Sequence, residues 1–380
     1  MRPIIVCVIC GLVLFSAGVW AQGVIIDQVV TARQIADASG SDRAAPDEMT
    51  LTGDGRFVIT DRSSDDMVER VYLIDASTEP PTFTLVTDTE ALKDKVDEVN
   101  GRFRGRPAEL TIQALGVDED GDIIIASDGR DETGYVFRVD PEEKTIVLLA
   151  GRDGPAGVTS VEGIAAMAVR GRTIYLVLEE RFGAVNGDTV ATVSVDAPDG
   201  GKTPAETLVS EDAFRQLLGL DDPLAFRVIG FLPNGHLVLA NSAAAAASDD
   251  LLEIDVTTGA VSLLVAATDI EADLGTPDIG PNAGGIDPDG TIYLTNAFGT
   301  GQTDDGVIVI RNAGGGQGDA SLLASEAMII GSPNIFDING DPIGGLFILS
   351  GSGVSPARGT FVFAEGNCDC LIRLREVAAD

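Results

Sequence analysis

Polar turns and apolar strands alternate along this chain in a pattern that recurs six times. Each copy joins a glycine-containing turn to a short, mostly apolar run that ends at a polar residue. The explicit copies span residues 54–61, 120–127, 234–241 and 289–296, and the looser ones span 170–176 and 339–350. Asp-Gly and Asn-Gly pairs favour hairpins, and turn glycines spaced 50 to 66 residues apart indicate a repeat architecture. The pattern therefore predicts an all-β, six-bladed β-propeller.

Each period contains four short apolar runs, which we label strands a to d in chain order. The a–b and c–d turns are short and share one side of the propeller, which we call the turn face. The longer d–a and b–c connections share the opposite side, the loop face. Helix signals in these loops, such as the capping-box spacing at 87–90, predict short helices over 91–99, 211–218 and 268–274. Long loops on one rim predict that the loop face carries the function.

The outer strand of the last blade has two candidates, one from each end of the chain. Residues 23–30 would close the ring by pairing the beginning of the chain with its end, whereas 371–374 would close it from the C-terminal side. We favour the N-terminal strand, and the sequence leaves the choice open.

The first 22 residues have the features of a secretion signal. Arg2 precedes an apolar run at 4–15, and Val19-Trp20-Ala21, which ends in a small residue, provides a cleavage site before Gln22. Residues 23–380 are then expected to form a single propeller domain without a membrane span. We expect a secreted or periplasmic protein that is monomeric.

The charge balance and the cysteines limit the partners further. The net charge of −35 disfavours nucleic acid and anionic lipid as partners. Beyond the signal, only Cys368 and Cys370 remain, and a local disulfide, an intermolecular one and free thiols are all compatible with the sequence. The single histidine, His236, falls in a turn-face hairpin, which excludes mechanisms that need a histidine at the loop face.

Aligning the blades on strand b brings scattered polar residues to one place. The residues that begin strand a are Asp47, Gln113, Glu162, Arg227, Asn282 and Asn334. The ends of strand b add Asp61, Asn241 and Asn296 at the same rim. Carboxylate and amide oxygens around one axis suit Ca²⁺ or another hard divalent cation. The alternative is a wet, polar channel that holds no ligand.

Three segments resemble the senescence marker protein/gluconolactonase family, namely 46–49, 161–164 and 281–290, and the strand-b repeats are similar to NHL-type repeats. The resemblance implies a six-bladed propeller with one divalent cation, most simply calcium, at the channel mouth. It assigns Glu162, Asn282 and Asp47 as ligands, with Asn334 or Asn241 as a fourth. It also implies that Asp47 acts as the base that opens a lactone.

Two functions follow from these expectations. The first is a metal-dependent lactone or ester hydrolase, with Asp47 and Asp61 as catalytic residues. Its substrate would be held by Arg227, Gln113, Asn241 and Asn296. The second is a non-catalytic propeller that binds a protein or a small molecule on its loop face. It is expected if the polar side chains pair with one another or point into the walls.

Overall fold

The fold was analysed in a computed structural model of the chain. The structure describes residues 23–62, 68–100, 110–129, 133–151, 161, 163–179, 187–219, 225–241, 249–275, 279–296, 306–346 and 348–377. Within these residues, 24 strands form six four-stranded antiparallel sheets arranged as the blades of a propeller. The predicted fold class is confirmed.

The chain enters through β1 (Val24–Val30) and α1 (Ala32–Ser39) and then builds three blades in order. The first blade contains β2 (Pro46–Leu51), β3 (Phe57–Asp61), β4 (Arg70–Asp75) and β5 (Thr82–Asp88), followed by α2 (Thr89–Asn100). The second contains β6 (Leu110–Val117), β7 (Ile123–Gly129), β8 (Thr133–Val139) and β9 (Ile146–Ala150). The third contains β10 (Ile164–Arg170), β11 (Thr173–Leu178), β12 (Thr189–Ser194) and β13 (Glu206–Val209), followed by α3 (Glu211–Leu218).

The remaining blades repeat this order. The fourth contains β14 (Phe226–Phe231), β15 (Leu237–Asn241), β16 (Leu251–Ile254) and β17 (Val261–Val265), followed by α4 (Ala267–Leu274). The fifth contains β18 (Pro281–Ile286), β19 (Ile292–Asn296), β20 (Gly306–Gly314) and β21 (Gln317–Ser325), followed by α5 (Glu326–Ile330). The sixth contains β22 (Ile348–Ala357), β23 (Thr360–Glu365) and β24 (Cys370–Glu376), with β1 as its outer strand.

The ring closes by pairing the two ends of the described chain. β1 runs antiparallel to β24, with Asp27 opposite Arg373, so the N-terminal strand closes the last blade as predicted. The C-terminal candidate, 371–374, lies in β24, which is the third strand of that blade. Cys368, in the turn before β24, and Cys370, the first residue of β24, form a local disulfide, which is one of the three states that the sequence left open.

The predicted position of the sixth repeat is wrong. The hairpin between strands a and b of this blade turns at Arg358-Gly359, between β22 and β23, rather than at Asn339-Gly340. Residues 331–346 instead form a loop between α5 and β22. Asn334 therefore does not begin a strand a.

The five helices of the described residues all lie in d–a connections, on the loop face. The predicted helices over 91–99, 211–218 and 268–274 are confirmed within α2, α3 and α4. The additional α1 begins with a capping box, in which Thr31 and Gln34 each bond the backbone N–H of the other. No described helix is long and apolar enough to cross a membrane.

The core lies between the blades because each sheet buries both of its faces against its neighbours. The buried apolar side chains of the described residues form six clusters, one at each interface between adjacent blades. Strands β3, β15 and β19 are buried at every residue. This explains why the strand-b runs are continuously apolar rather than alternating, and why they gave the clearest repeat signal.

Candidate functional site

A central channel runs between the six strands a, which are β2, β6, β10, β14, β18 and β22. Its volume is about 350 Å³, and small or apolar residues such as those at 165–169 and 284–286 form much of its wall. The backbones of β18 and β22 meet closely, because a Cβ on Gly353 would lie 2.9 Å from the carbonyl oxygen of Gly284. Glu48, Gln113 and Arg227 also line the channel. A narrow cavity with a few long polar side chains is the usual form of a small-molecule site.

A bulge near the start of strand a sets the direction of several of these side chains. In the first blade, Pro46 pairs with Asp61 and Met49 with Ile59, so that Asp47 and Glu48 together face Thr60. The Glu48 N–H donates to the Thr60 hydroxyl at 2.9 Å. Such bulges add a residue on one strand and re-aim its side chains.

Corresponding register shifts place the predicted residues at equivalent points of their blades. Gln113 and Asn282 are the extra residues of the second and fifth blades. Arg227 pairs with Ala240, one residue before the end of strand b, and so takes the same position in the fourth blade. The register shift of that blade comes later, between Val228 and Gly230. In the third blade the extra residue is Ala165, which lines the channel, and the predicted Glu162 lies outside the described residues. The strand alignment thus holds for four blades.

Asp47 is engaged by an arginine rather than open to the channel. Its Oδ2 lies 2.8 Å from Nη1 of Arg62, whose Nε also lies 2.8 Å from Oε1 of Glu69. Arg62 and Glu69 further bond the backbone carbonyl and N–H of Ile112, at 3.0 and 2.8 Å. Burial raises the pKa of Asp47, and Arg62 lowers it in part. The network joins the first blade to the second.

Glu48 is the site residue that the sequence reasoning missed. Burial, and then the neighbouring charge of Asp47, raise the pKa of Glu48 well above its ordinary value, while Arg62 and Arg227 oppose the rise. Arg227 lines the same channel as Glu48. The only sequence signal was its position beside Asp47, where the resembled family has glycine.

The strand-b ends hold backbone in place. Asp61, Asn241 and Asn296 are each at most 1% exposed. Each accepts a hydrogen bond from the segment that leads into strand a of its own blade. The bonds are Ala45 N–H to Asp61 Oδ1 at 2.9 Å, Ala225 N–H to Asn241 Oδ1 at 3.5 Å, and Gly280 N–H to Asn296 Oδ1 at 2.7 Å. These side chains therefore lie in the walls of the loop-face rim.

Three of the four predicted metal ligands fall among the described residues. Asp47 and Asn282 lie at equivalent points of the first and fifth blades, and Glu162 lies outside the described residues. Asn334 is exposed in the loop before β22, where its backbone N–H bonds the Ser332 hydroxyl at 3.5 Å. In the part of the chain that the structure describes, no three His, Cys, Asp or Glu side chains are grouped to hold a metal ion. Asp47 is paired with Arg62, and the cation site stays a prediction.

The geometry defines the chain as a six-bladed β-propeller with a polar central channel, and comparison with solved structures supports this class. The chain is similar to a structural genomics protein of unknown function from Bacteroides thetaiotaomicron VPI-5482, with a TM-score of 0.54 and 12% identity over 93% of this chain and 76% of that one. It is also similar to an oligogalacturonate lyase in complex with manganese, with a TM-score of 0.50 and 11% identity over 87% of this chain and 76% of that one.

At these identities the likeness shows the fold alone. No family model matches the chain, and no curated protein matches it. The resemblance to gluconolactonases and NHL repeats therefore stays a prediction.

Proposed function

We propose that this protein binds a small polar molecule in its central channel, near the loop face. The observation that carries the proposal is that Glu48, Gln113 and Arg227 line a channel of about 350 Å³. The pairing of Asp47 with Arg62, and the wall positions of Asp61, Asn241 and Asn296, also favour binding over catalysis.

The channel charges suggest which ligands are bound. The guanidinium of Arg227 suits a carboxylate, because its N–H groups match two oxygens. Glu48 can accept a hydrogen bond from an ammonium or hydroxyl group when ionised, and Gln113 can donate or accept. A ligand with a carboxylate and a nearby ammonium or hydroxyl group, such as an amino acid or a hydroxy acid, complements all three side chains.

Calorimetric titration of the purified protein with a panel of amino acids and hydroxy acids tests this proposal. We expect Arg227→Gln to weaken binding by about tenfold or more, because a charged hydrogen bond contributes on this order. Arg358→Gln is the matched control, because Arg358 is 82% exposed on the turn face. An Arg227→Gln variant that binds as tightly as the parent, or a panel without any binder, would contradict the proposal.

The second candidate is the calcium-dependent lactone or ester hydrolase predicted from the sequence. The observation that favours it is the equivalent placement of Asp47 and Asn282 at the start of strands a in two blades. In this candidate Glu162 supplies a further ligand, and Asp47 or Asp61 handles the proton. Asp47 would first have to exchange its contact with Arg62.

Titration with calcium and with manganese separates the two candidates, manganese being included because the similar lyase is in complex with it. The hydrolase requires binding at about millimolar affinity or tighter, weakened in Asp47→Asn and in Glu162→Gln. It also requires turnover in a panel of lactones and aryl esters. Absence of metal binding in the parent protein removes this candidate and leaves the channel proposal intact.

We also propose that the protein acts outside the cytoplasm, on the basis of the signal features in residues 1–22. Mass spectrometry of the protein from its native host should then find a chain that begins near Gln22. A retained N-terminus at Met1 would contradict export by cleavage of this segment.

A further inference from the structure

A second concave site lies on the turn face, between the first and the sixth blade. The groove there has a volume of about 460 Å³ and is separate from the channel lining. Three guanidinium groups line it, from Arg56 in the β2–β3 turn and from Arg373 and Arg375 on β24. Apolar residues, including Phe57 and Val362, form wall between them. The proposed channel site does not involve this groove.

The strand register brings two of these arginines together. Arg373 and Arg375 are two residues apart on β24 and therefore point to the same side of the sheet. Asp27 on β1 bonds both: it accepts from Nε and Nη2 of Arg373 at 3.0 and 2.8 Å, and from Nη2 of Arg375 at 3.2 Å. One carboxylate thus serves two guanidinium groups, so this side of the groove keeps an excess positive charge.

Arg375 has unused hydrogen-bonding capacity. Its Nε is buried and has no hydrogen-bond partner in the part of the chain that the structure describes. The Arg375 side chain as a whole is 43% exposed and lines the groove. An oxyanion in the groove can therefore accept from the exposed part of this guanidinium.

The opposite wall carries one arginine, Arg56, and two aspartates, Asp54 and Asp75. Nε of Arg56 lies 2.9 Å from Oδ2 of Asp54, a side chain that is 58% exposed. Asp75 also lines the groove, and its Oδ1 accepts from the backbone and hydroxyl of Ser77. Counting Asp27, three arginines meet three aspartates in a chain whose net charge is −35. The groove is thus far less negative than the protein as a whole, which would repel anions elsewhere.

We propose that this groove binds a small oxyanion attached to an apolar body, such as an aromatic carboxylate or a phosphate ester. The guanidinium groups of Arg56 and Arg375 hold the oxygens, because their fork of N–H groups matches carboxylate and phosphate. Pro356 and Ala357, which are exposed and also line the groove, contact the apolar part. Arg373, which is held by two bonds to Asp27, supplies charge and keeps the ring closed.

The test titrates the purified full chain with benzoate and with phenyl phosphate at low ionic strength. Arg375→Gln removes this guanidinium but leaves both Asp27–Arg373 bonds, and Arg56→Gln changes the opposite wall without touching ring closure. Arg358→Gln is the control on the same face. We expect each groove variant to weaken binding by about tenfold, as loss of a charged hydrogen bond does. The control should change it by about twofold at most, because Arg358 is paired with Asp289 and does not line the groove.

Binding of either probe with this pattern supports the proposal, and the probe that binds better distinguishes a carboxylate from a phosphate. Arg227→Gln should leave binding of the probes unchanged, which separates the groove from the channel. The proposal is overturned if neither probe binds, if both groove variants bind as the parent does, or if Arg358→Gln weakens binding equally. Circular dichroism of each variant verifies folding, and Arg56→Gln suffices if Arg375→Gln does not fold.

Discussion

Asn296 and Asn241 provide a matched pair that tests the structural role of the strand-b ends. Both side chains are at most 1% exposed and end strand b of their blades. Asn296 accepts from the Gly280 N–H at 2.7 Å, whereas Asn241 lies 3.5 Å from the Ala225 N–H and its buried Nδ2 has no hydrogen-bond partner among the described residues. The same substitution to alanine therefore removes a strong hydrogen bond in one blade and a marginal one in the other.

We expect Asn296→Ala to lower the free energy of unfolding by about 2 kcal/mol, because it leaves the Gly280 N–H without its acceptor. Asn241→Ala should cost about 1 kcal/mol or less, because it also removes a buried donor that is already unsatisfied. For about 350 folded residues, 2 kcal/mol corresponds to a decrease in Tm of about 3 °C.

Urea unfolding followed by far-ultraviolet circular dichroism measures both differences. Equal costs for the two variants, or a larger cost for Asn241→Ala, would refute the assignment of Asn296 as a backbone anchor. If Asn296 instead bound substrate, as the sequence suggested, Asn296→Ala would weaken ligand binding while leaving the unfolding midpoint unchanged.

Three further predictions concern charged groups. Burial raises the pKa of Glu48 above its unfolded value of 4.5, so stability falls as the pH rises through the folded pKa, and Glu48→Gln should raise the urea midpoint at neutral pH. Burial, and then Glu365, raise the pKa of Asp369 from 3.8 to about 6, so stability is likewise lost as the pH rises through about 6. Asp369→Asn should remove that loss, about 1 kcal/mol after allowance for partial exposure, in urea titrations across this range, because asparagine tolerates the φ of 50°. Asp27→Asn should cost about 1 kcal/mol at low salt and less at high salt, because Arg373 loses a charged partner; an unchanged salt dependence would contradict this.

The turn chemistry predicted most of the fold because it is local. Copies at 54–61, 120–127, 234–241 and 289–296 became the a–b hairpins of four blades, and 170–176 that of a fifth. The sixth failed for a physical reason: Asp337 to Asp341 forms the same local turn, with its N–H and C=O groups bonded as at Asp118 to Asp122. In the loop before β22 that turn joins no pair of blade strands. Its true counterpart, at Arg358-Gly359, lacks the Asp-Gly or Asn-Gly pair.

For four of the candidate residues the sequence predicted the place in the strand but not the contacts. The blade alignment placed Asp47, Gln113, Arg227 and Asn282 at equivalent points, because a repeated strand register carries each to the same end of the channel. The alignment could not show that the Asp47 carboxylate forms an ion pair with Arg62. Arg62 comes from the b–c loop, whose path depends on the whole blade rather than on the repeat.

The sequence by itself determined the repeat, the number of blades and the face that carries the loops, because these follow from turn residues and apolar runs a few positions long. Only the tertiary structure decided which polar side chains share a cavity and which are held in ion pairs or hydrogen bonds. It brought Glu48 and Arg227, 179 residues apart, into one channel, and Asp27 and Arg373 into one ring closure. Such contacts arise from the closure of the ring, and no local pattern encodes them.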